Sequence, residues 1–263
     1  MLKAMLGLAR VHFKQYSIYK SNFYLWTINR IVEIVVYVFV WQAIYNQTGN
    51  AGGYSIEYMV TYYIFVFSIK AIATWGINED IAYSIRKGHL NKELLSPISY
   101  FKYCFGLYIG EIAYSIPISI ATFIICSIFW SVQLPVNFIN FIFFLLVIIL
   151  ILPISFFIQM IVGTIGFYTN SIWGMQILRQ SVISIFSGLI APLTLFPEWF
   201  QKIANILPFK EFIYTPINIY LGNVPLNERG FIILKLGAWT FILYVISKTF
   251  FNYSVKKITI NGG

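Results

Sequence analysis

The residues able to do chemistry are few and scattered. His12 and His89 lie far apart and offer no metal-binding motif. Cys104 and Cys126 fall in apolar stretches without Cys-x-x-Cys spacing, which predicts two inert buried thiols. No Gly-x-x-x-x-Gly-Lys-Ser/Thr loop occurs, so this chain is not expected to cradle nucleotide phosphates itself. No Gly-x-Ser-x-Gly or His-Glu-x-x-His is present, and no His/Asp/Glu cluster offers an acid/base set. A non-catalytic chain is expected, with no cofactor of its own. What stands out instead is charge inside long apolar runs: Arg30, Glu33, Lys70 and Glu111. In hydrocarbon such charges are costly, so each is a functional candidate or a packing device. Arg30 and Glu33 share a helical face at i, i+3 and can pair. Lys70 and Glu111 fall at similar depth on consecutive antiparallel runs, so a Lys70–Glu111 bridge is geometrically plausible. Snorkelling bases that fix helix packing are the alternative.

The elements that hold these charges must be membrane spans. Hydrophobic residues make up 59% of 263 and charged residues 10%, against roughly 45–50% and about 25% in a soluble domain. So little charge cannot cover a soluble particle. Runs of about 20 apolar residues predict six spans, near 24–45, 58–75, 103–130, 138–165, 172–195 and 231–251. The expected fold is an all-α membrane protein in one transmembrane unit, residues 1–263. Lys3, Arg10, Lys14, Lys20, Arg86, Lys87, Lys92, Lys102, Arg179, Lys248, Lys256 and Lys257 fall on one side, and Lys202, Lys210 and Arg229 on the other. The positive-inside rule then places both termini and the 77–100 segment in the cytoplasm. The net charge of +9 is thus a topology signal and not a nucleic-acid footprint.

Three further segments have their own character. Residues 1–21 set Lys3, Arg10 and Lys14 against Leu2, Met5, Leu6, Ala9, Phe13 and Tyr16, the pattern of an amphipathic helix in the inner headgroup plane. In the 77–100 segment Ile81 and Ile85 repeat at i+4, Gly88 permits a turn, and Leu90, Leu94 and Leu95 form a second apolar face ended by Pro97. A cytosolic Leu stripe needs cover, from headgroups, from the N-terminal helix or from a groove on a soluble partner. Residues 196–230 are too long for a tight loop and rich in Phe, Trp, Ile and Pro. Trp199, Phe200, Ile203, Ile206 and Leu207 share one helical face. This segment should dip into the outer leaflet, with the breaks at Pro208 and Pro216 covered by protein or by a water-filled cavity. An interfacial aromatic belt without gating is the other reading.

Gly88-x-Leu90 followed by Leu94-Leu95-Ser96-Pro97 resembles the coupling region of ABC-2-type exporter permeases. Ser187-Gly188-Leu189-Ile190-Ala191-Pro192, Phe196-Pro197-Glu198-Trp199, Leu207-Pro208-Phe209 and Tyr214-Thr215-Pro216 are similar to that family's fifth span and the extracellular re-entrant hairpin before the sixth. The nearest subgroup by this resemblance is the bacterial permeases for viologens or antimicrobial compounds. The resemblance implies a multi-pass subunit of the bacterial plasma membrane. A separate ABC ATPase, in two copies, would bind ATP and Mg, and a second permease would be the same chain or a related one. It assigns coupling to Arg86, Gly88, Leu90, Glu93, Leu94, Leu95 and Pro97, and an outer gate to Pro192, Pro197, Trp199, Pro208 and Pro216. The implied cargo is an apolar or amphipathic compound leaving the cytoplasm or inner leaflet. A membrane protein that sequesters a toxic peptide without transport, and an intramembrane lipid enzyme, remain the alternatives from other classes.

Overall fold

A computed structural model describes residues 2–48, 53–74 and 76–256. Trp75, the expected end of the second span, and Lys257, counted among the cytoplasmic bases, lie outside the described residues. The chain is all-helical. In order it forms α1 (Leu2–Ser17), α2 (Lys20–Thr48), α3 (Ile56–Thr74), α4 (Asn78–Arg86), α5 (Leu90–Leu94), α6 (Tyr100–Phe129), α7 (Phe138–Thr164), α8 (Trp173–Phe186), α9 (Glu198–Ile206), α10 (Tyr214–Tyr220) and α11 (Leu226–Val255).

Among the described residues four helices are long and apolar enough to cross a bilayer: α2, α6, α7 with its 3-10 extension, and α11. The six expected spans therefore separate into two kinds. α3, with 19 residues, is about 28 Å long at 1.5 Å per residue. Every residue from 58 to 69 is buried, so α3 runs through the middle of the bundle against α2, α6, α7 and α10. A helix apolar all round is one that neighbours enclose. α8 has only 14 residues, about 21 Å, and the chain beyond it is irregular through Ser187 to a 3-10 turn at Leu193–Leu195. Only Ile183 of α8 is buried, so this helix stands off the bundle.

α1 packs along the first half of α6, closely enough that side chains are excluded at the contact. A Cβ at Gly110 would lie 2.5 Å from the Ala9 carbonyl oxygen. α4 lies as tightly on the end of α7, where a Cβ at Gly163 would meet Cβ of Ile81 at 2.7 Å. These contacts, with Tyr100 stacked on Phe251 at 4.8 Å and Tyr168 hydrogen-bonded to Ser254 at 3.0 Å, gather α1, α4, α5 and the end of α11 at one end of the bundle. The 187–225 segment closes the opposite end. Pro153 and Pro117 both sit within unbroken helices, α7 and α6.

Candidate functional site

The four intramembrane charges converge on one cavity of about 620 Å3, lined by Arg30 and Glu33 of α2, Lys70 of α3, Glu111 of α6 and Arg179 of α8. Asn22, Asn29, Gln176 and Gln180 add polar walls, and Trp26, Trp173, Tyr16 and Tyr114 add aromatic ones. A polar chamber of this size in so apolar a chain is where water and a charged or amphipathic guest are least costly. Its lining carries three bases against two acids.

The pairing differs from expectation. Lys70 Nζ donates to Glu33 Oε1 at 2.8 Å, so the expected Lys70–Glu111 bridge is replaced. Arg30 does not bridge to Glu33 but donates from Nη1 to the Phe67 carbonyl at 3.3 Å. The reason is rotation. α3 packs against both α2 and α6, but it turns Lys70 toward Glu33 of α2, and Glu111 looks into the same chamber from the α6 wall. Glu111 is 5% exposed, and its Oε2 has no hydrogen-bond partner among the described residues. The charges it feels come from Asp80, His12 and Arg179.

His12, unremarkable as a sequence feature, is a junction. It is 6% exposed. Nδ1 lies 2.8 Å from the Leu107 carbonyl of α6, and Nε2 lies 3.6 Å from Asp80 Oδ2 of α4. Two oxygens facing both ring nitrogens suit the doubly protonated imidazolium. Burial pulls the pKa of His12 down. Asp80, the Leu107 carbonyl and Glu111 together outweigh it and leave the pKa raised above 6.5. One side chain thus ties the N-terminal helix to α4 and α6.

The 77–100 segment forms two short helices joined at Gly88, whose φ of +74° favours glycine. Ser84 donates to Glu93 Oε2 at 2.6 Å, clamping α4 to α5. Arg86 donates to the Asn170 carbonyl at 2.9 Å, tying α4 to the turn before α8. The expected Leu stripe divides. Leu90 is 2% exposed and anchors α5 in a core with Ile77, Ile81, Tyr100 and Cys104, so it is not available for docking. Leu94 is 39% exposed, while Leu95 at 88% and Tyr83 at 51% stand on the surface. The helical wheel misled here because α5 has only five residues and its first turn is swallowed by the core. Pro97 lies in the bend before α6.

At the other end, Pro197 leads into α9 and Pro208 into a 3-10 turn, Phe209–Phe212. Pro216 falls in the first turn of α10, where its missing N–H costs nothing. Pro192, Pro208 and Pro216 are buried, whereas Pro197 and Trp199 face outward. The shared face expected for α9 is split: Phe200 packs on Phe186 and Phe196, with ring centroids 5.0 and 4.6 Å away, while Trp199, Ile203 and Ile206 are exposed. α10 is enclosed by α7 and α3.

Sequence reasoning missed what holds this end together. Tyr54, Tyr58 and Tyr62 recur every four residues, a legible signal; Tyr54 just before α3 stacks on Tyr58, and Tyr58 on Tyr62 within α3, with centroids 4.3 and 5.9 Å apart. Their hydroxyls reach Thr194 at 2.6 Å, Asn218 at 2.9 Å and the Gly188 carbonyl at 2.7 Å. Neighbouring Tyr63 donates to the Ile190 carbonyl at 2.8 Å. The irregular stretch after α8 and the short helix α10 are therefore both latched to the α3 end of the chain. A second missed pair, Lys235 with Glu211 at 2.7 Å, is almost fully buried.

No curated protein matches the chain. The family model described as ABC-2 family transporter protein matches residues 31–262. That match takes in every predicted span but the start of the first, together with all the polar chamber's charges except Arg30, the α4–α5 pair and the tyrosine latch, and the chain belongs to the ABC-2 transporter family of membrane proteins.

Proposed function

We propose that this chain is the permease subunit of an ATP-driven exporter, with both termini and the α4–α5 pair in the cytoplasm of a bacterial plasma membrane. The observation that carries this reading is the charged chamber beside α4–α5 in a chain of the ABC-2 family. Such permeases normally work with an ABC ATPase subunit. On this reading Tyr83 and Leu95 are the exposed apolar contacts for a separate ATPase, and Arg86, Gly88, Glu93, Leu94 and Pro97 hold them in shape. Movement of the ATPase pair would reach the spans through two contacts. Ile81 against Gly163 drives α7, and Asp80 with His12 drives α1 and α6. The chamber would take an amphipathic cargo, its aromatic walls for the apolar part and its mixed charges for the polar part. At the outer end the tyrosine latch would open to release it, with Pro192, Pro208 and Pro216 as the fixed breaks of the gate. Two permease copies, or this chain with a related one, would enclose the path, and the outward side of the loosely held α8 is the face they would share.

The test is co-purification with the ATPase encoded by a neighbouring reading frame. Wild type is expected to retain it, and Leu95→Asp to lose it while remaining folded in the membrane. Retention of the ATPase and normal turnover by Leu95→Asp would sink the coupling assignment.

A further inference from the structure

Three polar atoms in the walls of the charged chamber have unmet hydrogen bonds. Arg30 Nε on α2, Asn78 Nδ2 at the start of α4 and Glu111 Oε2 on α6 find no partner among the described residues. All three residues are at most 5% exposed. A buried polar atom left unmet is costly, more so when charged, and three around one cavity mark where the polar groups of a guest belong. The last torsions of Asn and Glu are broad, so a small turn brings their atoms to the chamber surface. The three differ in role. Arg30 and Asn78 offer N–H donors, and Glu111 offers an acceptor. The other charges are engaged. Lys70 holds Glu33 at 2.8 Å, and Arg179 and Glu111 feel each other's charge. Arg30 spends Nη1 on the neutral Phe67 carbonyl.

We propose that the chamber binds a zwitterionic, peptide-like compound, its carboxylate on Arg30 and Asn78, its ammonium on Glu111 and its apolar body against Trp26 and Trp173. As cargo, this class rests on the exporter reading. The unmet atoms select it by their roles. A guest that is only a cation leaves Arg30 and Asn78 unmet and adds to a lining of three bases against two acids. A guest that is only an anion leaves Glu111 unmet and sets a second negative charge beside it. A neutral polyol meets all three atoms, but with bonds about half as strong as charge-assisted ones. A compound of both signs fills all three with charge-assisted bonds. The chamber's 620 Å3 falls within the roughly 300–1,000 Å3 of pockets that take compounds of drug size, which suits a short peptide. Because Asn78 begins α4, the carboxylate would also touch the helix pair proposed to meet the ATPase.

Full-length protein in mild detergent, without an ATPase, is titrated calorimetrically with the dipeptide Phe-Leu and three blocked forms: amidated at the C-terminus, acetylated at the N-terminus, and blocked at both ends. The free dipeptide should bind tightest, and each block should weaken binding about tenfold or more. Arg30→Gln should erase the penalty of amidation and keep that of acetylation, and Glu111→Gln should do the reverse. Misfolding would weaken all four forms alike and cannot give that crossed pattern. Asn78→Ala, which removes no charge, should weaken only the forms with a free carboxylate. Undetectable binding of the free dipeptide overturns the proposal. So does equal or tighter binding of the amidated or doubly blocked form by wild type, or a loss in Arg30→Gln that ignores the state of the carboxylate. No ATPase takes part, so failure here leaves the exporter reading standing, and retention of the ATPase by Leu95→Asp would leave this binding standing.

Discussion

Reversing the Glu33–Lys70 pair gives a sharp test of how the chamber is built. At 2.8 Å two unit charges attract by roughly 5–6 kcal/mol at an effective dielectric near 20. That gross figure is offset by desolvation. The two side chains are 32% and 16% exposed, so the pair lies between a surface bridge, worth about 0–1 kcal/mol, and a fully buried one, where losing a partner costs about 3–5 kcal/mol. Glu33→Lys should therefore cost about 1–3 kcal/mol, set toward the upper end because it places a third cation beside Arg30 and Lys70. Lys70→Glu should cost a similar amount by facing Glu33 with a second carboxylate. At about 2–4 °C per kcal/mol for a chain of this size, each single reversal should lower the thermal midpoint of the purified protein by roughly 2–12 °C. The double reversal, Glu33→Lys with Lys70→Glu, should recover most of that loss. A double reversal no more stable than either single one would refute the pairing. Recovery by Lys70→Glu with Glu111→Lys instead would restore the pairing that depth alone suggested.

Other outcomes follow from the same geometry. Gly163→Val should cost about 1–3 kcal/mol by pushing Ile81 away, and should lower ATPase stimulation more than it lowers expression, measured in the reconstituted complex. His12 has a raised pKa in the folded chain, so its contribution is complete below about 6.5 and fades as pH rises through the folded value. The thermal midpoint of wild type should fall over that rise and stay level in His12→Gln. The groups facing His12 are Asp80, Glu111, Tyr16 and the Leu107 carbonyl; of these, Tyr16 is pushed well above its ordinary value by burial, Glu111 and Asp80, and stays neutral. Tyr62→Phe removes the donor to a buried carbonyl at Gly188 and should cost about 1–2 kcal/mol. Faster protease cutting or hydrogen exchange in 187–197 would report that the latch has loosened, and unchanged exchange there would show that Tyr62 does not hold it.

The sequence carried the class of the fold because class is compositional: 59% apolar with 10% charged residues leaves only a membrane chain. It also carried the identity of the charged residues, since Arg30, Glu33, Lys70 and Glu111 stand out against any apolar run, and all line one chamber. It did not carry who pairs with whom. Depth along a helix is legible, but the rotation that turns Lys70 toward Glu33 is set by α2–α3 packing. Leu90 shows a related limit: periodicity separates apolar from polar faces but cannot say which apolar residue a five-residue helix spends on its own anchoring. Hydropathy does not distinguish α3 and α8 from ordinary spans, because it counts apolar atoms and not neighbours. One is enclosed on all sides and the other stands nearly bare. The role of His12 is not legible in the sequence, because its partners, Asp80 and Leu107, are 68 and 95 positions away. The tyrosines at 54, 58 and 62 were readable by their spacing, and their polar tips in an apolar helix were the signal.

The central claim is that the end of the bundle bearing α4–α5 receives an ATPase and the end bearing α9 does not. Both native thiols are buried, so an introduced surface cysteine would be the reactive one. Leu95→Cys and Trp199→Cys, each in the full chain co-expressed with the ATPase of the neighbouring reading frame, can be cross-linked with a thiol-to-amine reagent in native membranes. A cross-link to the ATPase from Leu95→Cys and none from Trp199→Cys is the expected result. A cross-link from Trp199→Cys, or none from Leu95→Cys in a complex that still turns over ATP, would contradict it.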